Sequence, residues 1–592
     1  MNLSSSSKQI LAWQDLLPVL NLSNNSEQAV TFFDLQPRAS SAISHFLQNQ
    51  HRSLLVLEAD DQAEYAPLLQ SHIAAQLQPD MRVTGVRYMV EQADSFSFAH
   101  IYTEPAQSME DNFAAQSAVL FSLFFDQAKL FGTLQIHPIS KDIKLTPGLV
   151  HQANGGVLIL SVAGLLAQFD AWLRLKQILT SKRFDWYAVH PSKPLPCEIP
   201  SYPLELKLIL LGNREELAAF AELESELYAL SDYSELESYF SVEKSDQQVK
   251  WAQYVRHFAA QQHFPPLTPA ALQRLYQLKV RTCEDRSLIN ISPLTLKNML
   301  SKASLGANKS QLEAEDFERA FRQTQMQQGF LREQTYADIL HEQVYIPTEG
   351  EAIGQINGLS VIEYQGTPLS FGEPSRISCI VQFGDGEIID VDRKSELAGN
   401  IHGKGMMIAE SCLADILNLP SQLPFSASLV FEQSYGEIDG DSASLAEFCV
   451  LTSALAGQPL PQSIAVTGAI DQFGLVHAVG GVNDKIEGFF AICQQRGLTG
   501  KQGVIIPTAA VHQLSLSQEV VEAVKADQFT IWIVEDVYQA CEILFQRDLV
   551  EEENKTYSTE NQPLSRLILQ RIESHAETHR RGGLLGLLFG RR

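Results

Sequence analysis

An α/β multidomain fold is what this 592-residue sequence predicts, and three observations carry the prediction. Short apolar runs alternate with amphipathic stretches over residues 51–245, apolar residues recur at helical spacing over 246–345, and glycine-rich turns separate alternating strands from 346 onward. A chain of this length exceeds what one core organises, so several domains are expected.

Residues 1–50 are polar and rich in Ser and Gln, with short apolar clusters suited to one or two helices packing on the domain after them. In the 51–245 domain, SLLVLEAD at 53–60, GGVLILSV at 155–162 and LKLILLGN at 206–213 read as buried strands of a parallel sheet. In the helical segment 246–345, Thr268 before Pro269 opens a helix with Leu272, Leu275 and Tyr276 on one face. Ser310 with Glu313 matches a capping box for another. Residues 346–548 read as a further α+β or α/β domain, in which Asp385-Gly386 suits a hairpin turn. Residues 549–592 read as a flexible tail ending RRGGLLGLLFGRR.

Composition excludes several functions. With 45% hydrophobic and 19% charged residues the chain has enough apolar surface to fold. The formal charge of -26 repels a polyanion, so nucleic acid is not an expected partner. Seven scattered cysteines without a CxxC pair suggest neither a disulfide frame nor a zinc site, and fit a reducing compartment. The first thirty residues lack a signal-peptide pattern. The apolar stretch 118–125 ends at Asp126 and Lys129, far short of the roughly 20 residues of a membrane helix. No membrane span and a cytoplasmic location are expected.

The segment from Tyr435 to Pro459 holds the chemistry. A Gly- and Asp-rich turn runs into a helix whose Leu445, Phe448, Cys449 and Leu455 share a face, and Gly457 and Pro459 stop it. Ser442 falls at the helix start, where free backbone N–H groups and the positive dipole end can stabilise an oxyanion. On spacing alone a plain N-cap serine is the favoured reading.

GDSAS at 440–444 resembles the nucleophile motif of the Lon proteases, particularly their B-type branch, and GGVNDKIEGFF at 480–490 resembles the motif of their catalytic lysine. The likeness extends through IGQINGLSVIEY (353–364), IHGKG (401–405), SASLVFEQSYG (426–436) and QQRGLTGKQGVIIP (494–507). The resemblance implies Ser442 as nucleophile and Lys485, 43 positions on, as general base. It also implies that Thr467 orients the lysine, against the alternative of a solvated strand threonine, and that Asp441 restrains the pair at rest. His477 and His402 are the other candidate bases, at positions the family does not use for that role.

A lysine takes a proton only when neutral, so its pKa must fall from ~10.4 to about 7 or 8, a shift of roughly 4 kcal/mol that burial can supply. Asp441 and Asp484 would oppose that shift if either paired closely with Lys485.

The same resemblance implies an ATP-driven AAA+ ring before the protease, and here the functional motifs are missing. EADDQAEY at 58–65 stands where a P-loop should be, with Glu64 and Tyr65 at the places of its lysine and Ser/Thr. A phosphate cradle needs glycines and a lysine, whereas Asp60, Asp61 and Glu64 would repel one. Ser161 and Val162 replace the Walker B carboxylates, Asn213 matches the polar sensor, and Tyr239 falls near the arginine-finger place. The expectation is a degenerate AAA+ α/β domain with a helical lid, followed by a Lon-type proteolytic domain. No cofactor is expected, although the resemblance by itself would imply ATP, and no metal. The implied assembly is a homo-hexameric ring acting on unfolded or loosely folded polypeptides. Two rivals stay open: an ATP-dependent Lon protease with an unrecognised nucleotide site, and a non-catalytic scaffold or holdase.

Overall fold

The apolar run at 53–60 becomes strand β1 (Leu54–Glu58), with Leu54 to Leu57 buried. Both its neighbours are parallel, so residues on either face are covered and the run has no polar alternation. The computed structural model describes residues 9–22, 29–77, 83–92, 98–188, 194–306, 310–394, 397, 399–420, 422–434, 440–552 and 555–575. Two compact units emerge, and they interleave along the chain.

The first unit comprises residues 22–266 with 290–301. Its sheet joins β1 with β2 (Val119–Ser122), β3 (Val157–Ser161), β4 (Lys207–Gly212) and β5 (Asp232–Glu235) in the order β5-β1-β4-β3-β2, all parallel. The three runs singled out in the sequence are thus neighbours at its centre. Helix α1 (Tyr65–Ala74) follows β1, and α2 (Arg214–Leu223) follows β4.

The second unit comprises residues 1–21, 267–289 and 302–592. The helical segment 246–345 is divided between the two units. Helix α3 (Pro269–Cys283) starts as predicted: the Thr268 side chain accepts from the Ala271 N–H at 3.2 Å, and Pro269 occupies the first turn. Helix α4 (Ala314–Gln328) does not use Ser310. Glu313 is its N-cap residue, and the buried Asp316 carboxylate accepts from the Glu313 N–H at 2.9 Å, which moves the capping box three residues along. Helix α5 (Phe330–Leu340) comes next.

A seven-stranded sheet organises the rest: β6 (Gln355–Glu363), β7 (Ser370–Gly386), β8 (Ile388–Asp390), β9 (Leu423–Glu432), β10 (Ile464–Val466), β11 (Gly503–Pro507) and β12 (Thr530–Val534) run in the order β8-β9-β7-β6-β10-β11-β12. The predicted hairpin at 385–386 is corrected. The chain reverses there, but β9 inserts between β7 and β8, pairing antiparallel with one and parallel with the other. A register shift between Phe383 and Gly386 marks the departure.

The predicted flexible tail is corrected in part. Residues 564–575 form a helix, α9, whose Leu564 and Ile568 are fully buried in the core. The Arg-flanked stretch 580–592 lies outside the described residues.

Candidate functional site

Helices α6 (Asn400–Ile416), α7 (Ser444–Ala456) and α8 (Val482–Arg496) belong to the second unit, and α7 and α8 cover opposite faces of its sheet. Alternation along the strands makes this possible. Ile464 and Val466 of β10 join Leu445, Phe448 and Leu451 of α7 in one cluster. Ala465 between them joins Ile486 and Phe489 of α8 in the other. The two helix starts meet beyond the carboxyl end of β10, where the parallel strands of open sheets place their ligands.

Ser442 lies two residues ahead of α7, and Ala443 is the N-cap, so the plain N-cap reading of Ser442 is corrected. Its carbonyl accepts from Gly468 N at 2.9 Å and Thr467 Oγ1 at 3.2 Å, which leaves the Ser442 hydroxyl to other partners. Ser444 holds the turn: its Oγ donates to the Asp441 carbonyl at 2.8 Å and accepts from Ile470 N at 2.9 Å. Tyr435 to Asp439 lie outside the described residues.

Lys485 sits in the first turn of α8 and is 3% exposed. Its Nζ donates to Ser442 Oγ at 3.0 Å and to Thr467 Oγ1 at 3.4 Å. Burial pushes the Lys485 amine down to about 8, against the opposing charges of Glu284 and Asp441. About a tenth of the amine is therefore in the neutral form that proton abstraction requires at pH 7, and about half at pH 8.

Asp484 does not pair with its neighbour. Its carboxylate accepts from Arg281 Nη2 at 2.8 Å and from Ser370 Oγ at 3.1 Å. Burial raises the Asp484 pKa, with Arg281 working the other way. The Glu284 carboxylate accepts from the N–H of Gly481, the left-handed residue (φ 66°) that opens α8, at 2.9 Å. Two further glycines let α8 lie against β7. A Cβ on Gly372 would stand 1.9 Å from the Asp484 carbonyl oxygen, and one on Gly488 would stand 2.3 Å from that of Gly372.

Arg281, Glu284, Ser370 and Gly372 were not singled out from the sequence. Their partners are 100 or more residues away, and Arg281 shares its helix with Arg274 and Lys279, so nothing local set it apart.

The two histidines have other partners. His477 is exposed, its Nε2 3.2 Å from Asp471 Oδ2. His402 is buried on α6, with Asp390 at 3.3 Å and Glu447 of α7 at 3.6 Å. Burial lifts Glu447 to about 7, with His402 opposing. Burial would lower the His402 pKa, but the Asp390 bond and the surrounding carboxylates raise it above its ordinary value.

In the first unit, the end of β1 is occupied by the chain's own side chains. Glu64 pairs with Lys297 at 3.0 Å, and the Ser161 hydroxyl donates to the Asp61 carboxylate. Asn213 caps α2, its Oδ1 accepting from Glu216 N at 2.9 Å. Tyr239 is exposed on the short strand Tyr239–Ser241.

A serine hydroxyl and a buried lysine amine thus come together at a strand end of one α/β unit, in a chain that also carries a five-stranded parallel unit. Comparison with known proteins supplies the family of both units. Residues 119–231 match the LonB-like AAA domain, and residues 436–547 match the Lon protease (S16) C-terminal proteolytic domain. A "Putative Lon protease homolog" of Haemophilus influenzae is 62% identical over 97% of this chain and 95% of its own length. One of the same name from Escherichia coli is 45% identical over 90% of this chain and 91% of its own. An "Archaeal Lon protease" of Thermococcus kodakarensis is 25% identical over 68% of this chain and 61% of its own. The chain belongs to the Lon protease family.

Proposed function

We propose that this protein is a serine endopeptidase working through a Ser442–Lys485 dyad, without ATP hydrolysis. One observation supports it above the others: a lysine amine, buried and depressed to about 8, lies 3.0 Å from a serine hydroxyl.

The neutral Lys485 amine takes the proton of Ser442 Oγ as that oxygen attacks a peptide carbonyl. Thr467 Oγ1 bonds the amine and steadies its direction. Backbone N–H groups around Asp441 and Ser442, just ahead of α7, face the developing oxyanion. Lys485 then gives its proton to the leaving amine, an acyl-enzyme remains on Ser442, and water, activated by the again neutral lysine, releases it.

The substrates are unfolded or loosely folded polypeptides, met inside a homo-hexameric ring in the cytoplasm. The ion pair of Glu64 with Lys297 and the bond of Ser161 to Asp61 support a scaffold role for the first unit, since they occupy the region where phosphates and Mg²⁺ would bind.

Cleavage of casein and short peptides, with and without ATP, by wild type, Ser442→Ala and Lys485→Ala tests the reading. Activity independent of ATP and lost in both variants is expected. ATP dependence would reverse the energetic part, and activity surviving in Lys485→Ala would remove the dyad. Complete inactivity, with no fluorophosphonate labelling of Ser442, would favour the scaffold reading.

A further inference from the structure

The lysine-bearing helix α8 carries two carboxylates that ought to hold Lys485 charged, Asp484 next to it and Glu487 two residues on. Both are bonded by a single residue of α3. Arg281 Nη2 reaches Asp484 Oδ1 at 2.8 Å and Glu487 Oε2 at 2.9 Å, and Nη1 reaches Glu487 Oε1 at 2.5 Å. The Arg281 side chain is 14% exposed, and those of Asp484 and Glu487 are 24% and 22% exposed, so water contributes little to holding these charges. The fork geometry suits a guanidinium and not an ammonium.

We infer that Arg281 is a positioning residue for the reaction: by engaging Asp484 and Glu487 it keeps their charge off Lys485 and holds the helix that aims the amine at Ser442. This inference rests on the dyad proposed above.

The charged and titratable groups around Lys485 make the direction clear. Asp484 and Glu487 come from its own helix, Arg281 and Glu284 from α3 and its C-cap, and Asp441 from the segment before α7, while Arg332 and Tyr336 of α5 and Glu373 of β7 face the Asp484 and Glu487 side. Arg281 is the cation bonded to the two carboxylates of α8. Glu284 and Asp441 already raise the Lys485 pKa. With the guanidinium removed, Asp484 and Glu487 would add to that pull, and less of the amine would be neutral at a given pH.

The test is the rate of Ser442 labelling by a fluorophosphonate probe across pH 5.5–10, in the full chain. In wild type the rate rises with pH and levels off above about 8. Arg281→Met is expected to move this rise upward by about one pH unit, lowering the rate at pH 7 about tenfold while sparing much of the alkaline plateau. Arg281→Met combined with Asp484→Asn and Glu487→Gln removes the stranded charges and is expected to bring the rise back to its wild-type position. That rescue also covers the case in which the single variant folds poorly, since the triple variant buries no unpaired charge.

A rise that stays in place in Arg281→Met, or a triple variant displaced as far as the single one, overturns the inference. Lys485→Ala separates the two levels. If it still labels with the wild-type pH dependence, the dyad itself falls and this inference with it. If it does not label and the Arg281→Met rise is unmoved, only the role of Arg281 falls.

Discussion

Glu64 and Lys297 form an ion pair at 3.0 Å, and it lies just past the strand end where a nucleotide-binding loop would hold its phosphates. A triphosphate entering there would have to separate the pair and face Glu64, Asp60 and Asp61 without a glycine cradle. No saturable binding of a fluorescent ATP analogue up to millimolar concentration is the expected result of a titration, and cleavage rates should be the same with and without ATP.

Lys485 links activity to stability with opposite signs. Its pKa in the folded chain is depressed, so its contribution to stability is fully present above the ordinary 10.5 and is lost as pH falls through about 8. At pH 7 the wild type therefore bears the whole cost, on the order of 3 kcal/mol. Lys485→Met should abolish cleavage yet raise the urea midpoint at pH 7, and the advantage should vanish above pH 10.5. Equal midpoints at pH 7 would mean that the amine is better solvated than its 3% exposure indicates.

Asp441 is exposed, and its charge acts on Lys485 through space. Asp441→Ala should shift the rise of the pH–rate profile to lower pH, with a severalfold gain in peptide cleavage near pH 6.5. An unmoved profile would leave the aspartate without a restraining role.

Gly372 and Gly488 are predicted to be intolerant even of alanine. Either methyl group pushes α8 away from β7, and displacement of a reacting group by about 1 Å costs on the order of a hundredfold in rate. Circular dichroism distinguishes this loss from unfolding, because secondary structure should remain while fluorophosphonate labelling of Ser442 falls.

The buried group on the other face of the sheet gives a further pH effect. Glu447 is raised to about 7, so its contribution to stability is fully present below the ordinary 4.5 and is lost as pH rises through about 7. The urea midpoint of wild type should fall across that window, and Glu447→Gln should flatten the fall.

What could be read in the sequence was what local pattern encodes. Leu54–Leu57, Val157–Ser161 and Lys207–Gly212 announced a buried parallel sheet because each is apolar on both faces. Ser442 and Lys485 could be singled out because GDSAS and GGVNDKIEGFF resemble motifs of the Lon family, whereas spacing alone favoured a plain N-cap serine. Nonlocal pairing was invisible. Nothing at Asp385-Gly386 tells that β9 will insert beside β7, and nothing near Glu313 tells that Asp316 rather than Ser310 completes its cap. Arg281 lies 203 residues from Asp484, so the sequence showed a conflict beside the lysine while its resolution was visible only in three dimensions.

Arg571 donates from Nη1 to the carbonyls of Ala454 and Leu455, at 2.9 and 2.7 Å, and so closes the far end of the helix that Ser442 precedes. The matched proteolytic domain stops at residue 547, twenty-four residues before that clasp. A shortened version cut at the homology boundary would leave two carbonyls open and strip Leu564 and Ile568 from the interior. Anyone expressing the peptidase half alone should carry the chain to residue 575, or a truncation artefact will be mistaken for a dead enzyme.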